Sequence, residues 1–356
     1  PALIITDKNI VKVGLLNPLI QALEAHEKAY HVYSNVRPNP TVENVEEALA
    51  LHRAEDCGFI IAMGGGSPMD CAKVVGARVV KPNQSVYKMS GVLKILKKLP
   101  PMVVIPTTAG TGSETTVAAI ISDDVTNAKL SLTDTCLIPQ YVAFIPELTV
   151  SMPPHITATT GMDALTHAIE CYIGQSNTKG TLRDAIVAMK LIQENLLQAY
   201  HQGDDLDARR NMLYAAFFAG RAFTKGYVGN AHAISHAVGG LYHIPHGLAN
   251  AIALPVVLRA YGDAIQEPMA EIAENLGLCP MGATSAQKAA AVIAYIEKLN
   301  ETMNIPTTMP QIRTEDLEVL SRRCSAEANP LYPVPVIWTA EDFKAVLQQL
   351  KGVDNG

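Results

Sequence analysis

The chain has six cysteines among 356 residues and no CxxC pair. Cys57, Cys71, Cys136, Cys171, Cys279 and Cys324 are scattered. Neither a structural zinc knuckle nor a disulfide framework fits that spacing. They read as reduced, mostly buried thiols of a cytoplasmic protein. Aromatic residues make up 5% of the chain, with a single tryptophan, Trp338. No basic stripe offsets the formal charge of −6, so nucleic acid and anionic membrane are not expected as partners. No apolar run is read as long enough to span a bilayer. No signal peptide is read ahead of Pro1. The chain opens without an initiator Met, directly into the apolar run Ala2–Ile5, which leaves an upstream segment open. Internal repeats and low-complexity tracts are absent too.

A hydrophobic content of 48% over this length fits a globular protein, with two domains as the default. Short buried strands are expected at Ala2–Thr6, His31–Tyr33, Phe59–Met63 and Met102–Ile105. Further strands are expected at Val117–Ile121, Ala128–Leu132 and Tyr141–Ile145. An amphipathic helix running to about Ala25, a second capped by Thr41 and a third starting near Pro68 alternate with them. The alternation predicts an α/β domain with a parallel, Rossmann-like sheet and helices on both faces. Thr149–Pro154 marks a change of character. Beyond it helical periodicity dominates, with candidate helices at 161–173, 181–201, 207–224, 228–238, 247–260, 284–300, 315–324 and 340–350. The expected division is 1–153, an α/β domain, and 154–356, an all-α helical-bundle domain.

Four of the ten histidines fall in Asn230–Gly247, NAHAISHAVGGLYHIPHG. His232 and His236 are four apart and share one helix face. His246 returns to that neighbourhood after a Gly-Gly and a Pro break. Asp163 and His167, in GMDALTHAIE, are also four apart. One carboxylate and three imidazoles from two helices and a turn suit a divalent transition metal. A lone buried histidine is more often a hydrogen-bonded core residue. Two such polar pairs inside apolar helices are harder to place that way, because unpaired buried polar groups are costly. HAISH also resembles the zinc-protease helix. That chemistry needs a Glu after the first His, and Ala233 stands there.

Two loops follow expected strands. Gly64-Gly65-Gly66-Ser67 precedes a helix, as a phosphate cradle does. It is neither GxGxxG nor a P-loop, and a tight strand-to-helix turn is the plainer reading. Pro106-Thr107-Thr108-Ala109-Gly110-Thr111-Gly112-Ser113-Glu114 offers hydroxyls and amides. Two such loops at strand C-termini suggest a dinucleotide.

Four ordered fragments, GGGSPMDCAK at 64–73, PTTAGTGSE at 106–114, GMDALTHAIE at 161–170 and HAISH…PHG at 232–247, resemble the iron-containing (group III) alcohol dehydrogenases. The likeness extends to Asn329-Pro330. The resemblance implies metal ligation by Asp163, His167, His232 and His246, with His236 beside the nicotinamide. It implies pyrophosphate binding at Gly65, Gly66 and Ser67, and cofactor contacts from Thr107, Thr108, Thr111 and Lys129. His243 carries no such role and is expected in the pocket wall or behind a ligand. The implied function is reversible hydride transfer between a small primary alcohol and NAD(P), with Fe2+ as the metal and Zn2+ able to fit the same donors. A homodimer is implied as well.

The chain departs from the family at three places. Family members usually begin with another strand segment ahead of the one that opens this sequence. Ile145-Pro146 stands where Asp-Pro is common. Ser34-Asn35 replaces the Asp of NAD-preferring members, with Arg37 near, so tolerance of NADP is expected. Other chemistries on the same scaffold stay open: a glycerol-dehydrogenase-like or a dehydroquinate-synthase-like enzyme, the latter needing a basic pocket. A non-catalytic assembly module is the further alternative. The alcohol itself is not named by any one segment.

Overall fold

In the first strand, β1 (Ala2–Ile5), all four residues are buried, as a parallel strand covered on both faces requires. The computed structural model describes residues 1–125 and 129–352. The chain divides into two units, Pro1–Thr149 and Val150–Gly356.

In the first unit, Asp7 caps α1 (Lys8–Lys12), accepting from the backbone of Asn9 and Ile10. Gly14 then turns the chain at φ 76° before α2 (Asn17–Ala25). The single amphipathic helix expected here is therefore two, because a left-handed residue ends a helix. β2 (Tyr30–Tyr33), α3 (Val42–Ala54), β3 (Phe59–Gly64), α4 (Gly66–Val80), α5 (Val86–Met89), β4 (Gly91–Val92) and β5 (Met102–Pro106) follow. The last strands are β6 (Ala118–Ser122), β7 (Lys129–Thr133) and β8 (Tyr141–Val142).

Five strands form a parallel sheet in the order β2-β1-β3-β5-β8, with Ile4 opposite both Val32 and Ile61. Period-two alternation sends Leu3, Ile5, Ile60 and Val104 to one face, against Val45 and Ala48 of α3 and Met69, Ala72 and Val75 of α4. Ala2, Ile4, Ile61 and Met63 go to the other, against Ile10, Leu16 and the side chains of α2. Each fully buried aliphatic side chain contributes about 1.5–3 kcal/mol, so the sheet is fixed from both sides. The strand C-termini then hold the glycine and threonine loops at one edge.

β6 and β7 depart from the expectation. They pair antiparallel in a separate three-stranded sheet, β4-β7-β6. A short polar turn can join only antiparallel neighbours, since a parallel pair needs a crossover of about a dozen residues. Ala128, the expected start of β7, lies outside the described residues.

The second unit is helical throughout its described residues. It comprises α6 (Pro154–Ile173), α7 (Lys179–His201), α8 (Leu206–Gly226), α9 (Asn230–Tyr242), α10 (His246–Tyr261), α11 (Gln266–Leu276), α12 (Ser285–Thr302), α13 (Leu317–Ala328) and α14 (Ala340–Lys351). Capping boxes at Thr178, Thr284 and Thr339 start α7, α12 and α14, each satisfying two backbone donors that a helix start leaves open. Helix α11 escaped the sequence reading because Pro268 interrupts its pattern. Proline is tolerated there, in the first turn. One further correction concerns length. The nearly continuous helical run His246–Leu276 is long and apolar enough to cross a bilayer by length and composition, yet most of it is buried inside this unit, as a core element is.

Candidate metal centre and dinucleotide loops

Asp163 and His167 lie one turn apart on α6, His232 lies in the first turn of α9, and His246 is the first residue of α10. The structure brings one ligand atom from each within 4.8 Å of all the others. Asp163 Oδ1 is 3.4 Å from His246 Nε2 and 3.9 Å from His232 Nε2. Tetrahedral donors about 2.1 Å from a metal stand about 3.4 Å apart. The His167 ring stacks between Phe223 and His232, with centroids 4.2 and 4.4 Å away.

Whether these rings can ligate depends on which nitrogen carries the proton. Glu170, on α6, is buried and accepts from Gly229 N at 2.8 Å and Ala231 N at 2.7 Å. Its Oε2 also meets His232 Nδ1 at 2.6 Å, so Nδ1 donates and Nε2 keeps its lone pair. Burial pushes the Glu170 carboxyl up to about 7 against the pull of these donors. The same carboxyl caps the start of α9, which has no side-chain cap of its own. Ser235 Oγ donates to the His246 carbonyl at 3.0 Å, which leaves the oxygen to accept from His246 Nδ1, also at 3.0 Å. His246 Nε2 is thereby the free acceptor. Burial holds His232 well below the ordinary imidazole value and takes His246 down to about 4. The rings are therefore in the unprotonated form that ligation requires.

The amide of Asn250, one turn along α10 from His246, tests the convergence. Its Nδ2 donates to Asp163 Oδ1 at 2.8 Å and lies 3.1 Å from both His232 Nε2 and His246 Nε2. Three acceptor lone pairs thus face one point. Three nitrogens and a carboxylate oxygen suit Fe2+ or Zn2+, and the residues fit that group.

His236 stands beside this set. Its ring stacks on His246, with centroids 5.0 Å apart and planes at 17°. Its Nδ1 meets Glu327 Oε1 at 2.5 Å. His243 is exposed and adopts φ 57° as the left-handed cap of α9, so it does not serve a ligand as expected.

In the first unit the two loops touch. Thr107 N donates to Gly64 O at 2.9 Å. A Cβ on Gly65 would lie 3.2 Å from Thr108 Oγ1, and one on Gly66 would lie 3.2 Å from Thr111 Cγ2. The glycines therefore let the threonines close on the start of α4, whose N-cap, Gly65, makes no side-chain cap. Ser67 Oγ donates to Pro38 O at 2.5 Å, and Lys129 Nζ donates to Asn39 Oδ1 at 2.7 Å. Both tie the loop after β2, which carries Ser34 and Asn35, to the same edge. Arg37 is engaged by Glu43 at 2.7 Å and Asp124 at 3.6 Å.

Several residues that organise these sites carried no assignment from sequence. Asp70 accepts from Ser113 Oγ and Ile120 N. The fully buried Lys73 donates to Thr116 Oγ1, Thr116 O and Ala118 O. Both lie in the GGGSPMDCAK fragment and pin the threonine loop and β6 onto α4. Glu170, Asn250 and Glu327 were missed as well. Glu170 and Asn250 had a signal, each standing one turn along its helix from a candidate ligand, His167 and His246.

Comparison with known proteins is consistent along the chain. Residues 1–146 match the family model described as iron-containing alcohol dehydrogenase. Residues 157–350 match that of the C-terminal part of the Fe-containing alcohol dehydrogenase family. A 1,3-propanediol dehydrogenase of Klebsiella pneumoniae is 37% identical over 319 residues, 89% of this chain and 82% of that protein. An NAD-dependent methanol dehydrogenase of Bacillus methanolicus is 37% identical over 323 residues, covering 90% and 84%. The crystal structure of a 1,3-propanediol oxidoreductase superposes with a TM-score of 0.94 at 34% identity, covering 98% of this chain and 91% of that one.

Proposed function

Because the chain belongs to the iron-containing alcohol dehydrogenase family, we propose that Asp163, His167, His232 and His246 hold its metal and that its glycine and threonine loops hold its dinucleotide. The protein is a metal-dependent, NAD-linked alcohol dehydrogenase acting on small alcohols. The observation that carries the ligand assignment is the convergence of four donor atoms within 4.8 Å. Fe2+, or Zn2+ on the same donors, supplies a Lewis acid to an alcohol oxygen.

The remaining roles belong to the chain. Glu170 and Ser235 fix the tautomers of His232 and His246 by accepting hydrogen bonds from Nδ1–H, as ligating histidines usually require. His236 accepts, at Nε2, the proton that alcohol oxidation releases, and returns it when an aldehyde is reduced. Gly65, Gly66 and Ser67 receive the pyrophosphate at the start of α4, where the helix dipole favours an anion. Thr107, Thr108, Thr111 and Lys129 contact the cofactor from the facing loop. Residues 1–153 thus carry the dinucleotide and 154–356 the metal. Ser34 and Asn35, at the end of β2, face the adenosine ribose and leave room for a 2′-phosphate. The free cysteines, four of them buried, favour a reducing compartment, the cytoplasm. Assembly is as a homodimer.

The test is anaerobic purification with metal analysis, beside the variant His246→Ala, with NAD(P)H absorbance read against short alcohols and aldehydes. Wild type is expected to hold one metal ion per chain and to turn over. His246→Ala is expected to lose metal and turnover together while still binding NAD(H). Turnover retained in that variant would remove the ligand assignment.

A further inference from the structure

Glu327 stands at the C-terminal end of α13, outside every motif that named the site. Its Oε1 meets two donors, His236 Nδ1 at 2.5 Å and Tyr332 Oη at 2.6 Å. Both side chains of the first pair reach the surface of the site, at 38% exposed for His236 and 33% for Glu327. The flat side of the His236 ring lies on His246.

Resting on the reading of His236 as proton acceptor, we propose that Glu327, steadied by Tyr332, is the residue that positions His236 for alcohol oxidation. Two restraints act on the ring at right angles. The stack on His246 fixes its plane, and the carboxylate fixes its rotation within that plane. A carboxylate oxygen that accepts two hydrogen bonds offers no proton, so the proton of the pair sits on His236 Nδ1. The lone pair is therefore on Nε2, the edge that turns away from Glu327. A neutral ring without this partner would populate both tautomers, and one of them cannot accept a proton at Nε2. Tyr332 keeps its place as donor. Burial, reinforced by Glu327, holds its hydroxyl well above the ordinary phenol value. Burial alone would raise the Glu327 carboxyl, but the nearby His236 and the bonds from His236 and Tyr332 hold it below the usual carboxylate range.

Glu327 and Tyr332 belong to one helix end and the turn after it, and the hydrogen bond of Glu327 toward the site goes to His236, the ring stacked on His246.

The experiment is a double-mutant cycle on the metal-loaded enzyme, with Glu327→Ala placed in both the wild-type and the His236→Ala backgrounds. Alcohol oxidation kinetics, bound metal and NAD(H) affinity are measured for each. In wild type, Glu327→Ala is expected to lower kcat by about 10- to 100-fold, as loss of an orienting partner does, with KM, metal content and NAD(H) affinity unchanged. Glu327→Gln keeps an accepting oxygen and is expected to recover part of that loss. Tyr332→Phe is expected to lower kcat less, in the same direction, and both it and Glu327→Gln report if Glu327→Ala fails to fold. In the His236→Ala background every one of these effects should vanish. An equal loss in that background overturns the proposal, and so does loss of metal from the Glu327 variants. His236→Ala with wild-type turnover removes the underlying reading of His236 itself. Glu327→Ala with wild-type turnover, beside an impaired His236→Ala, removes the positioning alone.

Discussion

Replacing Gly247 with alanine puts a methyl group between α10 and α6, the two helices that carry His246 and Asp163. The new Cβ would lie 2.4 Å from Thr159 O, 2.9 Å from Thr159 C and 3.3 Å from Asp163 Cβ. Ordinary carbon–oxygen contacts close at about 3.3 Å, so the helices must part locally by about 0.9 Å. The obstructing atoms are helical backbone and cannot rotate aside. Metal–ligand distances tolerate about 0.2 Å, so the displacement exceeds what ligation allows. Overpacking destabilises by about 1–3 kcal/mol, and alanine returns about 1 kcal/mol of helix propensity. Metal-free Gly247→Ala should therefore be destabilised by at most about 2 kcal/mol, while its metal affinity drops at least about tenfold. Gly240→Ala is the matched control, since a Cβ there meets nothing within 4 Å. It should leave metal affinity unchanged and stabilise the protein by up to about 1 kcal/mol. Chelator competition with Zn2+ measures affinity, and urea unfolding of the metal-free protein measures stability. Wild-type affinity in Gly247→Ala refutes the reasoning. Equal losses in both variants would trace the effect to glycine's flexibility rather than to space.

Two further outcomes concern the first unit. Arg37 is already compensated by Glu43 and Asp124, so Ser34 should give tolerance of NADP(H) rather than preference for it. Ser34→Asp should then cut kcat/KM for NADP(H) relative to NAD(H) by about tenfold, the scale of one such repulsion near water; strict NAD(H) use by wild type would refute this. Glu114 is buried, and burial pushes its carboxyl from 4.5 up to about 7. The folded chain therefore holds this proton where the unfolded chain has released it. Stability present below about 4.5 is lost as pH rises through about 7, by about 3 kcal/mol at about 1.4 kcal/mol per pH unit. Glu114→Gln removes that slope, so its stability relative to wild type in urea should be greater at pH 8 than at pH 5. A difference that does not change with pH refutes it.

The four side chains proposed as metal ligands were legible because much of their signal is local. Asp163 with His167, and His232 with His236, repeat at the helical period, and that period survives any tertiary context. The glycine and threonine loops were legible because each follows a strand whose burial shows as an apolar run. The separate sheet that holds β6 and β7 is not legible in the strand pattern, because an apolar run does not say which strand lies beside it. The connection length did say so, and it excludes a parallel pair. Glu327 was out of reach for a related reason. Its partner lies 91 positions away, and no periodicity links two residues whose only relation is the crossing of α13 and α9.

Gly247 shows where motif and packing meet. The sequence places it at the start of the candidate helix 247–260, without saying what its missing side chain serves. In the structure it is already helical, with negative φ, and its lack of a side chain serves no turn. It serves the approach of α10 to the Thr159 carbonyl, which sets how far His246 stands from Asp163. The spacing of a ligand set drawn from three helices is thus decided by whichever atoms limit how closely the helices pack. Here those atoms are a backbone carbonyl and a glycine Cα, which leave less play than any pair of side chains would. A ligand substitution removes one donor, whereas a methyl group at this contact displaces two donors that remain chemically intact. The comparison of His246→Ala with Gly247→Ala therefore separates the donor's chemistry from its placement. If placement governs, Gly247→Ala should recover metal binding at raised metal concentration and His246→Ala should not.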